Sequence, residues 1–553
     1  MTGRRAVPRW LWLALPLAAL LTTAPAWTRG PLEVYLWAGG QVRARTFGPQ
    51  VYADDAVGRA MQARTGGRIF DFYSPNPPPT ALFFAPLTAL PTAALPLVWA
   101  GLNLAALTVG VAAALAAARV RAIRGRDRWA FAALAATGLL LSAPLAENLA
   151  RGQVYLWLMA AFALVLAGAA RDDDALIGAG LALAFTLKLA GWPVWLALAA
   201  LRRWRALAWA AGLSGAVVAI SLPLLGPATW VYYLGNVLPK WLNAPFAAVP
   251  AYQTVGGFFS HLLRADPVWN LAPLADRPGW AVVLTALVTL GLLIGTIVRA
   301  RRSSRTEAVS PLGAAVVLSV CLSPVAEQYH YLALFAPLCL AAERVAGQRS
   351  RWLLALAAGL IFLPLPYKNP ALASGATALL AYPRLYGGLL LWALLVGRGT
   401  YPYFPFVRPL MHHTSRIMSA LLRSPPFWLF IFALSLRVAV IAVARFDGLY
   451  GQDAFAYWDY ARRIVAAVHG QPLTGTFYWP LGYPLLTALF GPLTGLTPRA
   501  GQTASLLSGA ALAPLAWGLV REALPPDAPG RDRAALAAGL LCALCGQGIQ
   551  SSI

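Results

Sequence analysis

The chain has 553 residues, of which 59% are hydrophobic and only 12% charged, with a mean hydropathy of +0.63. Soluble domains carry about a quarter charged residues, so this composition excludes a soluble globular protein and describes an all-α polytopic membrane protein. The net charge of +24 does not indicate nucleic-acid binding. All but three of the 44 basic residues are Arg, and most sit in short clusters between apolar runs, as the positive-inside rule expects of cytoplasmic loops.

At roughly 20 apolar residues per span, the runs accommodate about fourteen or fifteen helices, and no short alternating segments of a membrane barrel are visible. Arg4, Arg5 and Arg9 precede the first run, Trp10–Trp27, which places the amino terminus inside. A cleaved signal peptide is the alternative, because Thr23-Ala-Pro-Ala-Trp loosely resembles a cleavage region; the number of later spans favours a retained helix. Residues 28–79 form a long external loop with Asp54 and Asp55. Pro86, Pro91 and Pro96 divide the stretch Leu82–Ala118 into a short interfacial segment and a true span.

A span over about 129–146, the external turn Glu147-Asn148-Leu-Ala-Arg151-Gly152-Gln153 and a return span lead to Arg171-Asp-Asp-Asp174. Residues 175–201 have Lys188 in mid-run and inside-type residues at both ends. They are expected to form two short, broken helices with their apex near Lys188-Leu-Ala-Gly-Trp-Pro193. A span over 206–226 precedes a second external loop, 227–278, followed by spans near 279–298, 308–326, 329–343, 352–366 and 385–397. The reading gives a first module over 1–400, a cytoplasmic linker over 401–426 and a second module over 427–553, which opens with a span at 427–444.

The two modules share text. Tyr52-Ala-Asp-Asp55-Ala56 and Phe72-Tyr73-Ser-Pro75-Asn-Pro77-Pro78-Pro79 return as Tyr450-Gly-Gln-Asp453-Ala454 and Phe477-Tyr478-Trp-Pro480-Leu-Gly-Tyr-Pro484. Alignment places Asp55 on Asp453 and Pro75 on Pro480, with both acidic loops on the outer face. Asp54 is matched by Gln452.

Ionisable groups at membrane depth are costly and are therefore candidates for function. Asp55 and Asp453 lead because the repeat retains them, with Asp54 beside; an aspartate can act as general base toward a hydroxyl, although Asp also simply favours helix starts. Lys188 is a lone cation that either snorkels or binds a phosphate. His330 follows Cys321-Leu-Ser-Pro324-Val-Ala-Glu327, where an outer turn enters a helix, and Arg151, Gly152 and Gln153 form another outer turn. Gln253, Lys240 and Arg264 in the second loop are weaker candidates. The four cysteines lie in apolar runs, with Cys542-Ala-Leu-Cys545 expected on a buried helix, and neither a zinc site nor a disulfide framework is readable. No P-loop or dinucleotide-binding glycine motif is present.

With these motifs in order, the first 400 residues resemble polyprenyl-phosphate-sugar-dependent glycosyltransferases of the GT-C superfold, closest to glycosyltransferase family 87 (the DUF2029 group). The resemblance rests on Asp54/Asp55, Tyr73-Ser-Pro-Asn-Pro-Pro-Pro79, Asn148-Leu-Ala-Arg-Gly-Gln153, Lys188 with Pro193, and Ser323-Pro324 before His330. From about residue 423 the chain resembles the opening of a second GT-C enzyme, of the protein-O-mannosyltransferase (family 39) or ArnT-like type, through Arg437, Asp453-Ala-Phe-Ala-Tyr457 and Pro480-Leu-Gly-Tyr-Pro484. Enzymes of that type continue for several more spans, so the second module reads as incomplete.

The resemblance implies inverting transfer of a hexose such as mannose from a polyprenyl-phosphate donor to a lipid or glycan acceptor on the outer face of the plasma membrane. Asp55 would be the base, with Asp54, His330 and Asp453 as further catalytic candidates. Lys188, Arg151, Gln153 and Tyr73 would bind substrate or phosphate. Membrane lipids are expected partners and nucleic acid is not. No cofactor is required and no metal ligands are assigned, with a divalent cation left open. The alternative is a transporter or flippase of lipid-linked sugars, whose repeats would surround a midplane site; the repeat here instead duplicates an external acidic loop.

Overall fold

The computed structural model describes residues 9–27, 29–67, 71–118, 127–242, 248–344, 348–397, 424–444, 446, 451–468, 471–473, 477, 480–494, 496–525 and 528–546. Among the described residues the protein is helical, with no strand and a single isolated bridge, Asp266 to Asn270. Contacts divide the chain into two units, Met1–Tyr401 and Pro402–Ile553.

The first unit opens with α1 (Arg9–Trp27), α2 (Glu33–Arg43), α3 (Asp54–Arg64), α4 (Pro79–Phe84) and α5 (Leu95–Ala117). The pairs α6 (Asp127–Leu140) and α7 (Ala143–Ala150), α8 (Tyr155–Arg171) and α9 (Asp174–Lys188), and α10 (Trp192–Ala200) and α11 (Trp204–Leu225) follow. The segment after α11 contains α12 (Pro227–Tyr232), a π-turn, α13 (Leu238–Leu242) and α14 (Val255–Leu263). The unit ends with α15 (Pro278–Arg301), α16 (Val309–Cys321), α17 (Phe335–Arg344), α18 (Gln348–Phe362) and α19 (Pro383–Val396).

Among the described residues five helices are long and apolar enough to cross a membrane alone: Leu95–Ala117, Trp204–Leu225, Pro278–Arg301, Pro425–Ala444 and Arg499–Ala523. Joining bent helix pairs raises this to at most seven among the described residues. Fourteen or fifteen apolar runs therefore do not become as many regular spans, because local chemistry cuts them short. Asp172 takes a left-handed conformation that ends α8 after 17 residues, and Ser142 and Pro144 restart the chain at α7 with a 45° bend. The stretch Leu82–Ala118 does divide into short turns and one 23-residue helix.

The centre of the unit is α8, which is buried nearly all round and packs on α5 and α9, while α9 packs on α11. Small residues allow these contacts. A Cβ on Gly180 would come 2.5 Å from the Ala161 carbonyl oxygen, and one on Gly178 would meet Trp209 and Ala210. By contrast α15 buries little of its surface, and Trp280, Val282 and Leu287 are exposed, as suits a helix facing lipid.

The expected break at Lys188 is present. α9 ends there, Leu189 (φ 49°) and Gly191 (φ 96°) reverse the chain, and α10 returns for only nine residues. The far ends of the two helices meet: Arg203, its side chain 2% exposed, pairs with Asp172 at 2.8 Å and Asp174 at 2.6 Å. Both ends therefore lie on one face. At 1.5 Å rise per residue, α9 places Lys188 about 20 Å from them.

The segment between α1 and α5 is itself folded. α2, α3 and α4 enclose a separate small core containing Tyr35, Val51, Tyr52, Met61, Tyr73, Phe84 and Trp99.

In the second unit, Pro425–Ala444 packs against Arg499–Ala523 and Arg531–Leu544 around Leu429, Ala433, Ala510, Ala513 and Ala543. Arg437 is buried and donates to the carbonyls of Ala433 (3.1 Å) and Ala543 (3.5 Å). Cys542 lies on the last of these helices, whose C-cap, Cys545, is exposed. Asp453 occupies the first turn of Gly451–Val468, as Asp54 and Asp55 occupy the first turn of α3. The repeated acid thus lies in the first turn of a helix in each unit. Tyr478, within the repeated motif, lies outside the described residues.

Candidate active site

A cavity of about 780 Å³ opens in the first unit, between the folded segment that follows α1 and the ends of the core helices. It is lined by the start of α2, the segment 71–76, the α7–α8 turn, the α9–α10 break, residues 233–242 and the turn from α16 to His330. Each wall is fixed by local sequence.

The Pro-rich segment is tied down at several points. The Tyr73 hydroxyl donates to the Pro77 carbonyl (3.2 Å), Thr80 donates to the Leu187 carbonyl (2.7 Å), and the Trp241 indole N–H donates to Ser74 Oγ (3.1 Å). Asn76 donates from Nδ2 to the Tyr73 carbonyl (2.8 Å), which turns its Oδ1 toward Lys188; Lys188 Nζ donates to it at 2.5 Å.

The α7–α8 turn is shaped by Asn148 and Gly152. Asn148 Oδ1 accepts the Tyr155 N–H (3.0 Å) and caps α8. Gly152, at φ 61°, accepts the Leu32 N–H (3.1 Å) through its carbonyl. A Cβ there would lie 2.5 to 2.7 Å from backbone atoms of Gly30, Pro31 and Leu32. Gly152→Ala combines a left-handed alanine with a backbone clash and is expected to cost about 2–5 kcal/mol of stability, read as a lowered melting temperature of the detergent-solubilised protein.

Lys188 is the central cation. It lies 5.4 Å from the centre of the Tyr35 ring and 5.5 Å from that of Tyr155, and Asn76, a neutral group, is its hydrogen-bond partner. Among the described residues no carboxylate stands within ion-pair distance of it. Arg151 differs: it pairs with Glu147 (3.2 Å) and Glu327 (3.4 Å), and Lys368 joins the same two acids at 3.5 and 3.9 Å. Gln153 Oε1 accepts the Tyr35 hydroxyl at 2.6 Å.

The tautomer of His330 follows from its partners. The Glu327 N–H donates to Nδ1 (3.1 Å), so Nδ1 carries no proton and the ring is neutral, with its hydrogen on Nε2. Nε2 is 2.6 Å from the Tyr155 hydroxyl and donates to it, leaving the hydroxyl proton free for another acceptor. Arg384, fully buried, secures the 3-10 turn bearing His330 by donating to Gln328 Oε1 (2.6 Å) and to the carbonyls of Leu360 (2.7 Å) and Leu363 (2.6 Å).

The cavity gathers Lys188, Arg151, Gln153 and His330, four of the residues expected from sequence. It does not include Asp54, Asp55 or Tyr73. Asp54 pairs with Lys240 at 2.5 Å, Asp55 is exposed, and Tyr73 is buried in the small core formed around α2, α3 and α4. Asp453, exposed on its own helix, belongs to the second unit. Gln253, also fully buried, bonds the carbonyls of Pro250 and Ala381 and acts as a structural link. Sequence reasoning missed Asp71, Asn76, Glu327, Tyr35 and Tyr155. Asp71 directly precedes the repeated Phe-Tyr motif, but the second copy has Thr476 at that place.

Asp71 accepts the Phe72 N–H at 2.8 Å. Burial pushes its carboxyl above the usual carboxylate range, against the opposing pull of that N–H and of the Lys188 and Arg151 charges. Among the described residues no three His, Cys, Asp or Glu side chains gather as a metal cluster.

Residues 75–324 match the sequence profile of glycosyltransferase family 87. The matched stretch is under half of the chain, includes Asn76, Arg151, Gln153 and Lys188, and stops just before His330, so this part of the protein is similar to glycosyltransferases. No curated protein and no solved structure matches the chain.

Proposed function

We propose that the protein is a membrane glycosyltransferase that moves a hexose from a polyprenyl-phosphate donor to a lipid or glycan acceptor on the outer face of the plasma membrane. The observation that carries this reading is Lys188: a cation held at a helix break, lining the cavity, with a neutral hydrogen-bond partner and aromatic neighbours. Such a group is arranged to receive an anion. A phosphate departing from a sugar gains charge in the transition state, and a fixed cation in a water-poor site stabilises that charge strongly. Arg151, already shared between two acids, would orient rather than neutralise, while Gln153, Tyr35 and the free Tyr155 hydroxyl proton offer polar contacts to sugar or phosphate.

A single displacement at the anomeric carbon inverts its configuration. No cofactor takes part in this reading. Sidedness is supported by the Arg-rich turns at Asp172 and Arg203, which the positive-inside rule places in the cytoplasm and which lie about 20 Å along α9 from Lys188. A GT-C superfold, and a second module of that kind in the second unit, belong to the same proposal.

The test supplies membranes containing the protein with polyprenyl-phosphate mannose, glucose or galactose labelled in the sugar. Label appearing in a lipid or glycan acceptor is the expected result. Intact donor crossing the membrane without transfer would instead mark a flippase.

A further inference from the structure

Three carboxylates line the cavity: Glu33, Asp71 and Glu327. Two have partners that occupy them. Glu33 stands 3.8 Å from Arg64. Glu327 pairs with Arg151, accepts the Tyr329 hydroxyl at 3.1 Å and lies 3.9 Å from Lys368. Asp71 forms no ion pair among the described residues, and its bond to the Phe72 N–H comes from its own backbone neighbour. Asp71 and Lys188 line the same cavity. The first-turn pair Asp54 and Asp55 does not reach that space.

We infer that Asp71 is the group that takes the proton from the acceptor hydroxyl during sugar transfer. This rests on the glycosyltransferase reading above and assigns the base within it. As the acceptor oxygen bonds to the anomeric carbon, the bond from that carbon to the phosphate oxygen breaks. Its electron pair stays on the departing lipid phosphate near Lys188, and the hydroxyl proton moves to the Asp71 carboxylate, which later releases it to water. Carboxylate and cation thus face the two ends of one displacement.

The charged groups around Asp71 set its pH behaviour. Burial raises its pKa, Glu327 adds to the rise, and Lys188 and Arg151 oppose it. A base must be ionised to act, so turnover should fall as pH drops through a pKa above the ordinary value of about 3.9. Asp71→Asn is expected to lower kcat by about 10²- to 10⁴-fold and to abolish that acid limb, while retaining binding of polyprenyl phosphate. Asp71→Glu keeps a carboxylate and should keep a displaced limb with partial activity, which a purely structural role would not produce.

Wild-type transfer with unaltered kcat and acid limb in Asp71→Asn would overturn the assignment and leave the glycosyltransferase reading intact. Transfer lost in Asp55→Asn but kept in Asp71→Asn would return the role to the helix-starting pair. Absence of transfer by the wild type from all three donors, despite bound polyprenyl phosphate, would overturn the reading and the assignment together.

Discussion

Replacing Lys188 by Met is expected to cut sugar transfer by about 10²- to 10³-fold, the loss seen when a fixed group that stabilises developing charge is removed. Folding should suffer little. Lys188 is held by one hydrogen bond, to Asn76, and by two ring faces, and a charge without a counter-ion is costly to bury. Methionine has nearly the same length and keeps the contacts with Tyr35 and Tyr155. The melting temperature in detergent should therefore stay the same or rise while kcat collapses. A large fall in both would identify Lys188 as a structural residue. Lys188→Arg keeps the charge, but its wider planar head does not fit the Asn76 contact, so rescue should be poor.

Arg384→Leu should show the opposite pattern, with stability lost first. Its guanidinium holds the carbonyls of Leu360 and Leu363 and the side chain of Gln328, and it stacks 5.6 Å from the centre of the Tyr367 ring. Leucine leaves these buried acceptors without a donor, each costing about 1–3 kcal/mol. The expected total is about 3–5 kcal/mol, at the severe end for a single substitution. Because Gln328 belongs to the turn bearing His330, the surviving folded fraction should bind donor more weakly. Thermal unfolding alongside KM measures the two effects separately.

The contrast between these residues shows what was readable in the chain. Lys188 and Arg384 are both cations near apolar runs. Lys188 drew attention as one of only three lysines, isolated in its run. Arg384 looked like one more of many arginines, and its role depends on carbonyls on another helix. Arg151, Gln153 and His330 could be anticipated because turns between apolar runs display polar residues. Asp71 could not be separated from Asp54 and Asp55, since all three lie in one polar segment between apolar runs. The repeat favoured Asp55 over Asp71, but what both copies share is an acid in the first turn of a helix, a position where negative charge suits the helix dipole.

The number of spans failed for a related reason. Hydropathy counts apolar residues, whereas a span also needs an unbroken helix, and Asp172, Leu189 and Gly191 reverse the backbone within or beside apolar runs. By itself the sequence determined a helical membrane protein, the break at Lys188 and the repeated acidic loop, because composition, helix punctuation and repetition are local properties of the chain. Tertiary structure alone decided which acid faces the cation. That choice depends on a folded loop, stapled by Tyr73, Thr80 and Trp241, bringing Asp71 and Asn76 to the end of α9 more than 100 residues later in the chain.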